Sequence, residues 1–231
     1  MGTYKDLKEI TWECNQKLPR HGLVLENFGN VSAIDREKGV FAIKPSGVPY
    51  NTLKVDDIVV LDLDNKVVEG RLRPSSDTKT HSILYRNLSH IGGIVHTHST
   101  YAVAWAQALR PIPILGTTHA DHLPTEIPIT EVMSDEMIEG DYEEETGNLI
   151  VQTLKNLAHE ETEMILVACH GPFTWASTPQ QAVYKSIILE EIAKMAFLTL
   201  HINPGAPTLK QSLIDKHYRR KHGKDAYYGQ P

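Results

Sequence analysis

The 231-residue sequence is poor in cysteine: it has only Cys14 and Cys169, and neither belongs to a Cys-x-x-Cys pair. Two such residues cannot build a disulfide framework. Both lie in apolar runs, which suit buried, inert thiols. The chain also lacks any apolar run near the length of a membrane span, and Met1 to Asp6 carries no apolar signal core. A reducing cytoplasm is therefore the expected compartment, with no membrane partner. Basic charge is not in excess either: 23 Lys and Arg against 29 Asp and Glu give a formal net charge of −6, which speaks against a nucleic-acid-binding face. The one dense basic run, Lys216-His217-Tyr218-Arg219-Arg220-Lys221-His222, reads as a solvated helix face that can also bias one local site towards an anion. There is no internal repeat, low-complexity tract or linker. With 41% hydrophobic residues, one domain spanning 1–231 is expected.

Histidine, by contrast, is plentiful at twelve residues. The stretch Gly92-Gly93-Ile94-Val95-His96-Thr97-His98-Ser99 places two of them two residues apart at the end of a β-branched run. On a strand, residues i and i+2 share a face, so His96 and His98 converge while Val95 and Thr97 point away. Such a pair suits a divalent transition metal, although two histidines on a wetted sheet face would show the same spacing. His170 repeats the logic, following the apolar run Met164 to Cys169. Three imidazoles in an open site leave room for substrate oxygens, as catalytic zinc requires. Asp77 is either a further ligand or a helix N-cap.

Along the chain, Leu7, Ile10, Cys14 and Leu18 mark an amphipathic helix ended by Pro19 and Gly22. Strand-like runs follow at Val31 to Ile34, Val40 to Ile43, Ile58 to Leu63 and Lys66 to Glu69, the last two joined at Asp64-Asn65. Their close spacing suggests antiparallel hairpins. Ser76 or Asp77 can cap a helix through Ile83 and Leu88, and Ser99 or Thr100 one through Val103 and Ala106. Later helices are expected at Thr146 to Leu157, Pro179 to His201 and Thr208 to Lys221, with a buried strand at Met164 to Cys169.

Two segments can hold an anion. Lys44-Pro45-Ser46-Gly47 joins a cation, a hydroxyl and a glycine at a strand exit, and Ser75-Ser76 sits at a helix start. Gly29-Asn30 adds to them. For proton transfer, Thr117 to Asp121 offers a carboxylate in a loop and the C-terminal tail offers Tyr228.

Read in order, Gly-Asn-Val-Ser (29–32), Lys-Pro-Ser-Gly (44–47), Pro-Ser-Ser-Asp (74–77), Val-His-Thr-His-Ser (95–99), Thr-Thr-His-Ala-Asp (117–121), Glu-Thr-Gly-Asn (145–148), His-Gly-Pro-Phe (170–173) and the Tyr-Tyr-Gly-Gln tail resemble the class II aldolase/epimerase family. The resemblance implies a three-layer α/β/α fold around a largely antiparallel sheet, in a homotetramer with active sites at subunit interfaces. It implies one zinc ion per subunit on His96, His98 and His170 with Asp77 as fourth ligand, manganese or cobalt being chemically admissible. Asn30, Lys44, Ser46, Gly47, Ser75 and Ser76 match the family's phosphate-site segments. Asp121 and Tyr228 match its acid/base pair, Tyr228 coming from a neighbouring subunit, while Thr117, Glu143 and His217 match supporting positions. Aldolases of the family carry Glu where Asp77 stands. The shorter Asp therefore points to the branch that epimerises a phosphorylated ketopentose at C4 by carbon–carbon cleavage, in pentose catabolism of the L-arabinose or ascorbate type. The family's other functions, metal-dependent aldolase and non-catalytic adducin-like scaffold, are the alternatives.

Overall fold

The computed structural model describes residues 4–155, 157, 162–222 and 226–227. Helix α1 (Lys5–Arg20) buries Cys14 and Leu18, as its apolar spacing requires, and gives way at Gly22, whose φ of +66° an L side chain rarely adopts. Strands β1 (Asn30–Asp35), β2 (Val40–Ile43), β3 (Val59–Asp62) and β4 (Val67–Glu69) then form an antiparallel meander, the last hairpin turning at Asn65 with φ +64°. Helix α2 (Thr78–Asn87) leads into β5 (Gly93–His96), which adds to the free edge of β1. Helix α3 (Thr100–Gln107) and the short helices α4 (Thr117–Ala120) and α5 (Asp135–Glu139) follow, then α6 (Tyr142–Leu154). The hairpin β6 (Met164–Val167) and β7 (Gly171–Ala176), the long α7 (Pro179–Ile202) and α8 (Gln211–His222) complete the order.

Among the described residues all seven strands lie in one antiparallel sheet, in the order β4-β3-β2-β1-β5-β7-β6. Alternate side chains leave its two faces. Phe41, Ile43, Ile94, Ile165, Phe173 and Trp175 pack under Leu84 and Tyr85 of α2 and Ile150 and Leu154 of α6. Val31, Val95 and Ala176 meet α1 and α7 on the other face, and Leu166 meets α3 and α7 there. The result is the three-layer α/β/α arrangement implied by the sequence motifs. Among the described residues no helix is long and apolar enough to cross a membrane.

Several local features depart from the sequence reading or were absent from it. Gly171–Ala176 is a strand although Gly-Pro opens it, because Pro172 stands near the strand start, where a missing N–H is tolerated. The strand before it ends at Val167, so Cys169 is exposed in the connecting turn with φ +61°, not buried; only Cys14 is. Helix α6 begins four residues before Thr146, because Asp141 caps it by accepting from Glu144 N at 3.3 Å. Residues 117–121 form a helical turn rather than a loop.

Candidate metal centre and anion pocket

The sheet register brings the first site residues together. Asn30 of β1 stands opposite His96 of β5, and His96 opposite Phe173 of β7. These three, at adjoining strand ends, share the face covered by α2. Gly29, with φ +74°, makes the close approach possible, since a Cβ there would sit 2.8 Å from the His96 carbonyl oxygen. His96 stacks on Phe173 with centroids 4.3 Å apart, and its Nδ1 lies 3.0 Å from the Pro172 carbonyl oxygen. That contact needs Nδ1 to donate, so the lone pair is on Nε2.

His98 lies beyond the end of β5, yet its Nε2 comes within 3.1 Å of His96 Nε2. His170, in the β6–β7 turn, brings its ring centroid to 4.7 Å from that of His96 and 5.2 Å from that of His98. One nitrogen from each of the three lies within 4.8 Å of the others. A tetrahedral zinc with Zn–N bonds of the usual length sets its nitrogens about 3.3 Å apart, close to the observed pair. A hydrogen bond could account for two of these rings but not for the third. Burial pulls His170 down to about 3 and lowers His98 as well, so both imidazoles are neutral at physiological pH, the form that binds metal. The three can hold a divalent metal ion.

Asp77 occupies the cap position of α2 but makes no cap hydrogen bond. Its carboxylate turns inward instead, accepting from Asn30 Nδ2 at 2.6 Å. Burial opposes its charge, and the His96 and His81 imidazoles together with the Asn30 bond overcome this, holding the carboxyl below its ordinary range. Asn30 Nδ2 also donates to Ser75 Oγ at 3.1 Å, while Asn30 Oδ1, buried, has no partner among the described residues.

The histidines and Asp77 line a cavity of about 320 Å³, shared with Asn30, Lys44, Ser46, Gly47, Ser75, Ser76 and Glu143. Every proposed phosphate-site residue thus lines the same cavity as the imidazoles. Lys44 is buried, donates to Asn27 O at 3.1 Å, and lies 4.8 Å from the Tyr50 ring; burial draws it down to about 8 against the pull of Asp77. The amides of Ser46 and Ser75 donate across a bridge to Arg73 O and Lys44 O, at 3.0 and 3.1 Å. The serine hydroxyls, not these two N–H groups, are what the segments offer a ligand.

Asp121, Thr117 and His217 are elsewhere. Asp121 follows α4, its N–H bonded to Thr117 O, and faces α8. Its carboxylate accepts from His217 Nδ1 at 2.9 Å and from Arg220 Nε and Nη2 at 2.9 and 2.7 Å, with Lys221 Nζ at 3.5 Å. Burial raises its pKa, but these partners outweigh it and hold the carboxyl below its usual range. The basic run expected to face solvent is, on this side, an inward clamp on a buried carboxylate. Tyr228 lies outside the described residues.

Four residues near the centre went unread in the sequence. Phe28 and Tyr142 line the cavity. Buried His81 shares Ser32 Oγ with Tyr85 OH, both at 2.7 Å. Glu190 of α7 accepts from Tyr101 N and Ala102 N, both at 2.9 Å, capping α3 in place of Ser99, which makes no cap bond. Only Tyr142, next to Glu143, and Phe28, next to Gly29-Asn30, carry a local signal; His81 and Glu190 depend on chain crossings that short-range spacing does not encode.

Residues 10–197 match the family of the Class II Aldolase and Adducin N-terminal domain. The chain belongs to this family. A family member from Salmonella paratyphi A, L-ribulose-5-phosphate 4-epimerase UlaF, is 53% identical over 97% of this chain and 98% of its own length. The protein of the same name from Salmonella paratyphi B is 52% identical over the same shares. Among solved members of the class II aldolase fold, an L-fuculose 1-phosphate aldolase superposes with a TM-score of 0.79 at 27% identity, covering 95% of this chain and 97% of that one. YgbL from Escherichia coli has the same fold, with a TM-score of 0.75 at 22% identity over 93% of this chain and 99% of its own.

Proposed function

We propose that the chain is a zinc-dependent epimerase that interconverts L-ribulose 5-phosphate and D-xylulose 5-phosphate in the pentose catabolism of the cytoplasm. The observation that carries this reading is the cavity that three imidazoles and Asp77 line together with Lys44, Ser46, Ser75, Ser76 and Asn30. The 53% identity to an epimerase over nearly the whole chain supports the same substrate.

The C4 hydrogen of a 2-ketose is not next to the carbonyl and is not acidic, so inversion by proton abstraction at C4 is closed. Breaking the C3–C4 bond avoids the difficulty. A base removes the C4 hydroxyl proton, the C3–C4 electron pair moves towards the C2 carbonyl, and C4 becomes an aldehyde. The phosphate, held by Lys44 and the serine hydroxyls, tethers this fragment while it turns its other face. The bond then re-forms and an acid returns the proton. A divalent ion on His96, His98, His170 and Asp77, when bound, supplies Lewis-acid stabilisation of negative charge beside a carbonyl. Asp77 also anchors Asn30, which aligns the anion pocket with the imidazoles.

Asp121 and Tyr228 are the proposed acid and base, with Thr117, Glu143 and His217 supporting them. Glu143 lines the histidine cavity, whereas Asp121 and His217 form a separate cluster of the same chain. The reading therefore takes that cluster into the cavity of a neighbouring copy, within a homotetramer. Apolar side chains left exposed on α7, among them Phe197, Leu198 and Ile202, support such an assembly.

Incubation with L-ribulose 5-phosphate should yield D-xylulose 5-phosphate in a coupled assay, and a chelator should abolish turnover. Turnover that survives removal of the ion would overturn the metal role. The structural likeness to a fuculose phosphate aldolase favours a second reading, net aldol cleavage. Accumulation of free glycolaldehyde phosphate in place of the epimer would establish it.

A further inference from the structure

His96 has its second ring nitrogen engaged by a carbonyl, which turns Nε2 to the cluster. His170 has a counterpart. Its Nδ1 lies 3.3 Å from the phenol oxygen of Tyr142, whose ring centroid is 6.0 Å away. For His170 to present Nε2 to a cation, Nδ1 must hold the ring proton and donate it, so the Tyr142 oxygen must accept. The phenol is well placed to do so because the start of α6 is fixed against α2. Lys79 pairs with the capping Asp141, Thr80 Oγ1 donates to Glu143 O at 2.6 Å, and Gly147 approaches so closely that a Cβ there would meet Ile83 atoms at 3.0 Å. Tyr142 itself stands at the first position of α6 and lines the cavity.

We propose that Tyr142 is a positioning residue for the metal centre, accepting the Nδ1 proton of His170 and so fixing the tautomer and ring angle with which that imidazole meets the ion. The inference rests on the metal-centre reading above. It assigns α6 a part in ion binding that the three histidines alone would not reveal.

The test is ion binding rather than turnover. Affinity for Zn²⁺ would be measured by chelator competition, and the visible absorption of the Co²⁺ form recorded, for the wild-type chain, Tyr142→Phe, Tyr142→Leu and His170→Gln. Wild-type protein that takes up no ion would overturn the metal centre itself, whereas binding lost in His170→Gln would sustain it. Tyr142→Phe keeps the ring and removes only the acceptor. It should weaken Zn²⁺ binding by about tenfold or more and shift the Co²⁺ bands, with the metal-free melting temperature unchanged. Tyr142→Leu should lose a similar amount. Unchanged affinity and spectrum in Tyr142→Phe, or a loss confined to Tyr142→Leu, would overturn the proposal, since ring packing and not the hydrogen bond would then matter.

Discussion

Two clusters of ionisable side chains in this chain are assembled in opposite ways. At the sheet rim, His96, His98 and His170 bring ring nitrogens together in a cavity that the carboxylates Asp77 and Glu143 also line. Between α4 and α8, a single carboxylate, Asp121, is met by His217, Arg220 and Lys221. The first cluster gathers nitrogens that can hold a cation; in the second the carboxylate is already met by positive side chains. Their supports differ too. The histidines hang from strand ends with the main core behind them, whereas α8 docks through a small apolar group of Ile114, Ala120, Leu209 and Ile214. The contrast teaches that one chain alone gathers the candidate ion ligands, while Asp121, the proposed proton-transfer group, is held apart from them by α8.

The sharpest way to break this division is a pair of single substitutions, one in each cluster. His96→Asn should lose bound metal and reduce turnover by about 10³-fold, the scale on which electrostatic stabilisation of a developing oxyanion contributes. Asp121→Asn should reduce turnover by about 10²-fold or more, as loss of a general acid or base does, with metal content unchanged. Metal analysis beside kcat separates the two. Loss of metal from Asp121→Asn would mean that the clusters are not independent.

Acid should act on both regions through their buried histidines first. Burial depresses His81 of α2 to about 3, and His119 of α4 and His122 beside Asp121 to about 4 in the fold. A histidine whose folded pKa is depressed contributes stability above its unfolded value, about 6.5, and that stability is lost as pH falls towards the folded value. Asp121 is also depressed, but from a carboxylate's unfolded value of about 3.9, so its contribution persists until the solution is more acidic than that. Urea midpoints of the metal-free chain should therefore fall from about pH 6.5 downwards, with a further loss below about pH 4 as the Asp121 clamp on α8 is protonated. The same further loss in Asp121→Asn would show that the clamp contributes nothing to it.

Much of this could be read in the chain before its fold was known, for a physical reason. His96 and His98 are two residues apart, and strand geometry turns that spacing directly into proximity. His170 at a second strand end was legible because apolar β-branched runs mark where the chain leaves the core. The strands from Val31 to Glu69 were legible for the same reason. What stayed hidden depends on distant partners. Nothing near Asp121 says that Arg220, ninety-nine residues on, will clamp it. Nothing near Cys169 says that its strand stops at Val167, where the turn presenting His170 begins. The local rule offers Ser99 or Thr100 as the cap of α3, and it fails because Glu190 of α7 accepts from the Tyr101 and Ala102 amides instead.

That last substitution of partners yields the smallest expected effect and refines the contrast between the regions. If the metal cluster is rigid because helices brace it from behind, removing a brace should cost stability without removing a ligand. Glu190→Ala strips both acceptors from the Tyr101 and Ala102 amides, at the start of the helix that follows His98. The expected loss is about 1 kcal/mol, the usual worth of a helix cap, read as a lower urea midpoint at constant m-value. Glu190→Gln retains one carbonyl acceptor and should recover part of it. Zinc affinity should fall less than in Tyr142→Phe, because Glu190 holds the backbone beyond His98 and touches no imidazole. An Ala variant as stable as the wild type would place the rigidity of the centre in the strand ends alone, with α3 merely following them.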